Sequence, residues 1–308
     1  MLYYYFWNFL KNIIKYIQFY HNFNKKCTTC PRKVIFNGLK ILSSEDTLDE
    51  IIKKNRSISR FGDGEFELIF GKGIAFQKAN KIISKKLKEV LKSKKKGFLI
   101  GINIPYDDIE LNKYINKTKK YFINWIERRK LNLFTLIDLN RIYYSSYITR
   151  FYFEIKDKSK VPNYIKKLKQ IWAKKDILII EGEKSRIGIG NDLFNNSNSL
   201  KRIICPAINA FNVYHKIIIQ AKKFDKSILI LLTLGPTSTV LAYELYKLGY
   251  QAIDVGHIDI EYEWFLRKAT KKIQIKNKFV NEVYGNKYKF GKVKDKKYYK
   301  EIVSKILH

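Results

Sequence analysis

The chain has 308 residues, 46% hydrophobic and 15% aromatic, enough for one large domain or two small ones around a sizeable core, and this excludes a disordered composition. Its formal net charge of +33 leaves three kinds of attraction: to nucleic acid, to an anionic membrane surface, or to anionic substrates drawn by a solvated lysine-rich exterior. No compact arginine-rich patch with interleaved aromatics is found, so a basic nucleic-acid-binding protein without enzymatic activity is the alternative reading and not the leading one.

Residues 1–33 read as an extension, set off by Lys25-Lys26 and Pro31. Met1 to Phe23 is rich in aromatics and isoleucine, but Asn8, Lys11, Asn12, Lys15 and Gln18 interrupt it. No apolar run reaches the roughly 18–20 residues of a spanning helix, and the charged start and small-residue cleavage site of a signal peptide are missing. A helix lying on the inner face of the cell membrane and a helix packed against the domain are the two readings of this segment. Cys27 and Cys30 have metal-knuckle spacing, but a zinc site needs four ligands and no second pair follows. With Cys205 they make an odd set of three, which argues against a disulfide framework and for a reducing, cytoplasmic compartment.

From residue 34 to 308 the sequence reads as a single domain ending in a Lys- and Tyr-rich tail after Lys271. The patterns predict helices over 44–55, 81–93 and 114–129, with a buried strand over 97–102 between the last two. The second half alternates more plainly. Short apolar runs predict strands at 176–181, 201–205, 228–233 and 252–256, with helices over about 210–223 and 238–248 between them. This alternation predicts an α/β fold with a mainly parallel sheet and helices on both faces, and places any ligand beyond the carboxyl ends of the strands.

Four loops there carry candidate chemistry. In Arg60-Phe61-Gly62-Asp63-Gly64-Glu65, two glycines allow a sharp turn. In an extended loop Asp63 and Glu65 would point the same way and reach one hard divalent cation, with Arg60 as a fork for a phosphate. Residues 181–192, EGEKSRIGIGND, supply glycine amides and cations suited to a diphosphate, without the spacing of a P-loop or of a dinucleotide fingerprint. Leu234-Gly235-Pro236-Thr237-Ser238 turns a strand into a helix that Thr237 or Ser238 would cap. The segment from Gly256 to Trp264 gathers His257, Asp259, Glu261 and Glu263, and Asp259 and Glu263 share a face whether it is strand or helix. Like charges so close raise the pKa of one member, which suits a general base.

These segments, with SRFGDGE at 59–65, EGEKSRIGIGNDLF at 181–194, CPAINAF at 205–211 and LGPTSTVLAYELYKLGYQAIDVGHIDIEYEW at 234–264, resemble the GT-D-type glycosyltransferase family of bacterial surface-glycan loci. The resemblance covers roughly residues 34 to 285 and carries nothing over to residues 1–33. It implies a Rossmann-like fold distinct from the common glycosyltransferase folds. It also implies a UDP-sugar donor and a divalent metal, Mn²⁺ with Mg²⁺ as the alternative, held by Asp63 and Glu65. The nucleotide would lie against the strand-end loops: Arg60, Phe61 and Gly62; Arg186, Gly188, Gly190, Asn191 and Asp192; and Gly235 and Thr237. His257 and the acids after it would lie near the transferred sugar, with Glu263 as base and Asp259 and Glu261 as substitutes. The expected acceptor is a glycan or lipid-linked glycan, in surface polysaccharide, capsule or glycoprotein biosynthesis, with no nucleic-acid partner.

Overall fold

The computed structural model describes residues 31–280, 282–283, 291 and 293–307. The aromatic segment Met1 to Phe23 and the Cys27/Cys30 pair lie outside the described residues.

In chain order the elements are α1 (Arg32–Ile35), β1 (Lys40–Ile41), α2 (Ser44–Lys54), β2 (Ser57–Phe61), α3 (Asp63–Ile69), α4 (Lys81–Lys92), β3 (Phe98–Ile102), α5 (Asp108–Leu111), α6 (Asn116–Phe134) and β4 (Ile142–Ser145). They continue with α7 (Val161–Leu168), β5 (Asp176–Gly182), β6 (Ser199–Cys205), α8 (Tyr214–Ala221), β7 (Leu229–Thr233), α9 (Pro236–Lys247), β8 (Gln251–Asp254), α10 (Ile258–Leu266), α11 (Lys296–Glu301) and β9 (Ile302–Lys305). Among the described residues the strands form one nine-stranded sheet in the order β1-β4-β3-β2-β8-β7-β5-β6-β9, with every pairing parallel.

The run DILIIEG forms β5 because a strand buried on both faces must be apolar throughout. Its side chains alternate between two cores: Leu178 and Ile180 join Leu232 and Ile102 on one face, while Ile177 and Ile179 join Leu231 and Ile58 on the other. Helices cover both faces, as the alternation predicted. At the far edge Arg202 is buried between Glu181 at 2.7 Å and Glu301 at 2.8 Å, which ties β6 to the segment leading into β9.

Local chemistry sets the helix starts. Ser43 accepts from the Asp46 amide at the head of α2, and Asn80 accepts from the Ile82 and Ile83 amides at the head of α4. α9 departs from expectation. It begins at Pro236 behind Gly235, whose φ is +55°, so neither Thr237 nor Ser238 is its cap. Proline suits the first helical position, and Ser238 Oγ turns back to accept from the Leu234 amide at 2.6 Å.

Candidate functional site

The carboxyl ends of the strands line one edge of the sheet. β5, β6, β7 and β8 end around a cavity of about 110 Å³, whose lining includes Lys184, Ser185, Gly235, Gly256, His257 and Asp259. Gly235 borders it in a conformation that favours glycine, and a Cβ there would stand 2.5 Å from the Phe76 ring.

β2 lies next to β8, and its end carries the carboxylate pair. Asp63 and Glu65 sit in the first turn of α3, not in the extended loop expected from sequence. Carboxylates are favoured there by the unsatisfied amides of a helix start. Glu65 turns back so that Oε2 accepts from the Gly62 amide at 2.7 Å, while Asp63 is exposed and accepts from the Tyr121 hydroxyl. Burial pushes the Glu65 carboxyl up to about 7 against the pull of the Gly62 amide, with Asp254 and Asp63 adding to the rise. Neither Asp63 nor Glu65 lines the cavity.

Arg60, expected on a donor phosphate, is spent inside the protein. Its guanidinium donates to the Asp254 carbonyl at 2.7 Å, Asp254 Oδ1 at 3.0 Å, the Ser146 carbonyl at 2.9 Å and Thr149 Oγ1 at 2.7 Å. Phe61 is wholly buried and packs on Phe66 at 5.9 Å, so it belongs to the core. Thr237 is likewise buried.

The loop after β5 is divided. Lys184, Ser185 and Ile187 line the cavity, whereas Arg186, Gly188, Gly190, Asn191 and Asp192 do not. Arg186 donates to the Asn277 carbonyl at 3.0 Å. Gly188 and Gly190 have φ of +75° and +80°, and a Cβ on Gly188 would stand 2.5 Å from Phe194. The Gly188 amide and Asn191 both donate to Asp259 Oδ1, at 2.9 and 2.8 Å. Asp192 pairs with Lys169 at 2.7 Å and accepts from Tyr262 at 2.6 Å. These residues shape the loop and hold α10.

α10 separates the acids by face. Asp259 and Glu263, one turn apart, both pair with the buried Lys278, at 2.6 and 2.9 Å, and both accept from Asn191. Glu263 also pairs with Arg267 at 2.9 Å and stays outside the cavity lining. Glu261 is fully buried on another face, where it accepts from the Tyr152 and Phe153 amides at 2.9 Å. Burial raises its carboxyl to about 7, with Arg150 opposing. His257 and Asp259 are therefore the members of the cluster that reach the cavity. His257 Nε2 stands 3.3 Å from Glu282, which also pairs with Arg150 and Lys272. Burial opposes ionisation of Glu282, but these cations, Arg150 foremost, hold its carboxyl well below the usual range.

Lys184 and Ser185 lie inside the 181–192 motif, whose glycine amides and cations suit a diphosphate. Lys278, Phe279 and Glu282 come from the Lys-rich tail, where nothing in the spacing marked them. Among the described residues no group of three or more His, Cys, Asp or Glu is arranged to hold a metal. No helix among them is long and apolar enough to cross a membrane.

Known proteins share this architecture. A family profile described as "Glycosyltransferase GT-D fold" matches residues 58–283. The chain is similar to a probable glycosyl transferase, Gly, of Streptococcus gordonii: 38% identity over 250 residues, covering 79% of this chain and 36% of that protein. It is also similar to the glycosyltransferase GlyD of Streptococcus pneumoniae serotype 4: 33% identity over 271 residues, covering 88% of this chain and 33% of that protein. It thus spans about a third of the length of these curated relatives. A solved structure described as a highly conserved domain of unknown function with a distinct glycosyltransferase fold superposes with a TM-score of 0.84 at 34% identity, over 90% of this chain and 98% of that one. A glycosyltransferase from Streptococcus sanguinis superposes with a TM-score of 0.81 at 34% identity, over 87% and 99%. With a profile match across most of the chain and near-complete coverage of the solved domains, this protein belongs to the family of glycosyltransferases with the GT-D fold.

Proposed function

We propose that the chain transfers a sugar from a UDP-sugar donor to a glycan or lipid-linked glycan acceptor, assisted by a divalent cation at Asp63 and Glu65. The observation that carries this reading is the position of that pair: on the sheet edge, at the end of β2, beside the strand whose following loop brings His257 and Asp259 to the cavity.

Asp63 and Glu65 offer hard oxygen ligands, but in the helical turn they stand two residues apart, so one shared cation requires a side chain to turn toward the other. Two carboxylates supply part of an oxygen shell, which diphosphate oxygens and water complete in nucleotide sites. Burial and the neighbouring carboxylates of Asp254 and Asp63 resist the charge of Glu65, and a cation would favour it. Bound there, Mn²⁺ or Mg²⁺ supplies Lewis-acid neutralisation of the leaving diphosphate.

The chain's own residues do the rest. Lys184 and the backbone around Gly235 and Gly256 face the cavity and suit an anionic group. The proton of the attacking acceptor hydroxyl goes to His257. Asp259 is already engaged by Lys278, Asn191 and the Gly188 amide, whereas His257 has the carboxylate of Glu282 to orient it and to stabilise its protonated form. Asp259 and Glu263 hold Lys278 and Asn191 and so fix α10 beneath the site. The basic exterior suits an acceptor carried on an anionic membrane, on the cytoplasmic side.

The test is UDP release from a panel of UDP-sugars, with Mn²⁺ or with EDTA, with UDP binding read in the same samples. Wild type is expected to turn over one donor only with metal present, and Asp63→Asn/Glu65→Gln to lose that turnover. His257→Gln should keep UDP binding and lose roughly 10²–10⁴-fold in transfer rate. Absence of any UDP-sugar binding in the presence of Mn²⁺ would overturn the reading.

A further inference from the structure

The sheet edge holds a second and larger cavity, of about 830 Å³, at the carboxyl ends of β1, β3 and β4. It falls within the ~300–1,000 Å³ range of built ligand sites. We infer that this cleft seats the acceptor glycan; the inference rests on the sugar-transfer reading.

Position is the first argument. Along the sheet the cleft occupies β1, β4 and β3, the smaller cavity occupies β8, β7, β5 and β6, and β2 with Asp63 and Glu65 lies between them. Two substrates reacting at one centre need two sites flanking it, and the fold provides one on each side. Side chains join the two cavities. Arg150 lines the cleft and pairs with Glu282, and Glu282 stands 3.3 Å from His257, which lines the smaller cavity. On the other flank Tyr121, hydrogen-bonded to Asp63, precedes Phe122, whose ring packs at 5.2 Å on Tyr114 and 5.9 Å on Tyr147 of the cleft.

Chemistry is the second argument. Tyr106 and Tyr147 line the cleft, where an aromatic ring suits the apolar side of a pyranose, and carboxylates such as Asp107 and Glu110 supply acceptor oxygens for its hydroxyls. Asn103 also lines the cleft; its Nδ2 is buried without a hydrogen-bond partner, and such a donor calls for an oxygen such as a sugar hydroxyl. Four carboxylates and four cations line the cleft, so its charges balance and give no net attraction to a diphosphate. Its size suits more than a single sugar ring, so the ligand class is an oligosaccharide end with an exposed acceptor hydroxyl.

The test uses the full chain on an array of neutral, amino-sugar and acidic mono- to tetrasaccharides, with hits titrated in solution and UDP plus Mn²⁺ titrated in the same samples. Tyr106→Ala removes a ring from the wall, and Asn112→Trp, at an exposed cleft position, fills it; neither changes net charge, so diffuse electrostatic binding persists in both. Thermal melts confirm that each variant folds. The expected result is an oligosaccharide that binds wild type and weakens by about tenfold or more in both variants, while UDP affinity stays unchanged. Equal saccharide binding by wild type and both variants overturns the inference, and so does the absence of saccharide binding in a sample that binds UDP. Failure of UDP binding alone, with the cleft variants still weakening the saccharide, sinks the donor reading and leaves the cleft standing.

Discussion

Replacing Lys278 by methionine keeps most of the apolar stem and removes the ammonium that Asp259 and Glu263 share at 2.6 and 2.9 Å. All three side chains are within 5% of full burial, so water cannot take over the role of the lost cation. Removing one partner of a buried pair costs about 3–5 kcal/mol. The lower end applies here, because Arg267 still pairs with Glu263 at 2.9 Å and Asn191 still donates to both acids. At about 2.1 cal/mol/K per residue, a 308-residue chain unfolds with an entropy of roughly 0.65 kcal/mol/K. A loss of about 3 kcal/mol therefore lowers Tm by about 5 °C. Differential scanning calorimetry at pH 7 reads this directly. Adding Asp259→Asn and Glu263→Gln to Lys278→Met removes the stranded charges and is expected to restore about half of the loss. A fall of less than about 1 °C for Lys278→Met would show that the acids do not depend on this lysine, and would refute the reasoning.

Two further outcomes follow from single groups. Glu261 has its carboxyl raised to about 7 by burial, so its contribution to stability is complete below about 4.5 and is lost as pH rises through 7. Wild type should lose up to about 3 kcal/mol relative to Glu261→Gln between pH 5 and 8, and parallel melting curves across that range would contradict the assignment. Gly256 has φ of +43°, and a Cβ there would stand 1.9 Å from Arg60 Nη2, so Gly256→Ala must displace the guanidinium from Asp254. At Gly190, with φ of +80° but open space around it, alanine costs only about 1–2 kcal/mol of backbone strain. Gly256→Ala should therefore melt several degrees below Gly190→Ala, and equal shifts would remove the case for the Arg60 contact.

The sequence made the second half of the sheet legible because β5 and β7 must be apolar on both faces, and a run such as Ile177 to Ile180 has few other readings. β2 escaped for the opposite reason. It is buried, yet Ser57 and Ser59 occupy core positions, their hydroxyls bonded to the Tyr250 carbonyl at 3.4 Å and the Thr239 carbonyl at 2.5 Å. Such bonds depend on partners some 180 to 193 residues away, which no local pattern contains. The site divides in the same way. The motifs lie in loops at the carboxyl ends of the strands, and which side of each loop faces the cavity is set by residues distant in sequence. Arg60 reads in the sequence as a phosphate fork, whereas in the fold its guanidinium is bonded to Asp254, Ser146 and Thr149. Asp259 and Glu263 were rightly expected to share a face, yet their common partner Lys278 lies in a stretch of lysines where none stands out.

The seam between β2 and β8 carries a consequence for how the protein is made. It registers through Ile58 and Ile253, reinforced by the Arg60–Asp254 pair and by Ser57, which accepts from the Ala252 amide. A nascent chain holds Asp63 and Glu65 long before β8 has been synthesised, and β2 has only β3 to pair with in the meantime. Bringing together segments so distant in sequence is entropically slow. The carboxylate pair and the loop bearing His257 are joined through β8, so a chain cut short before residue 251 carries β1 to β7 but lacks the strand that links β2 to β7 and has no assembled centre.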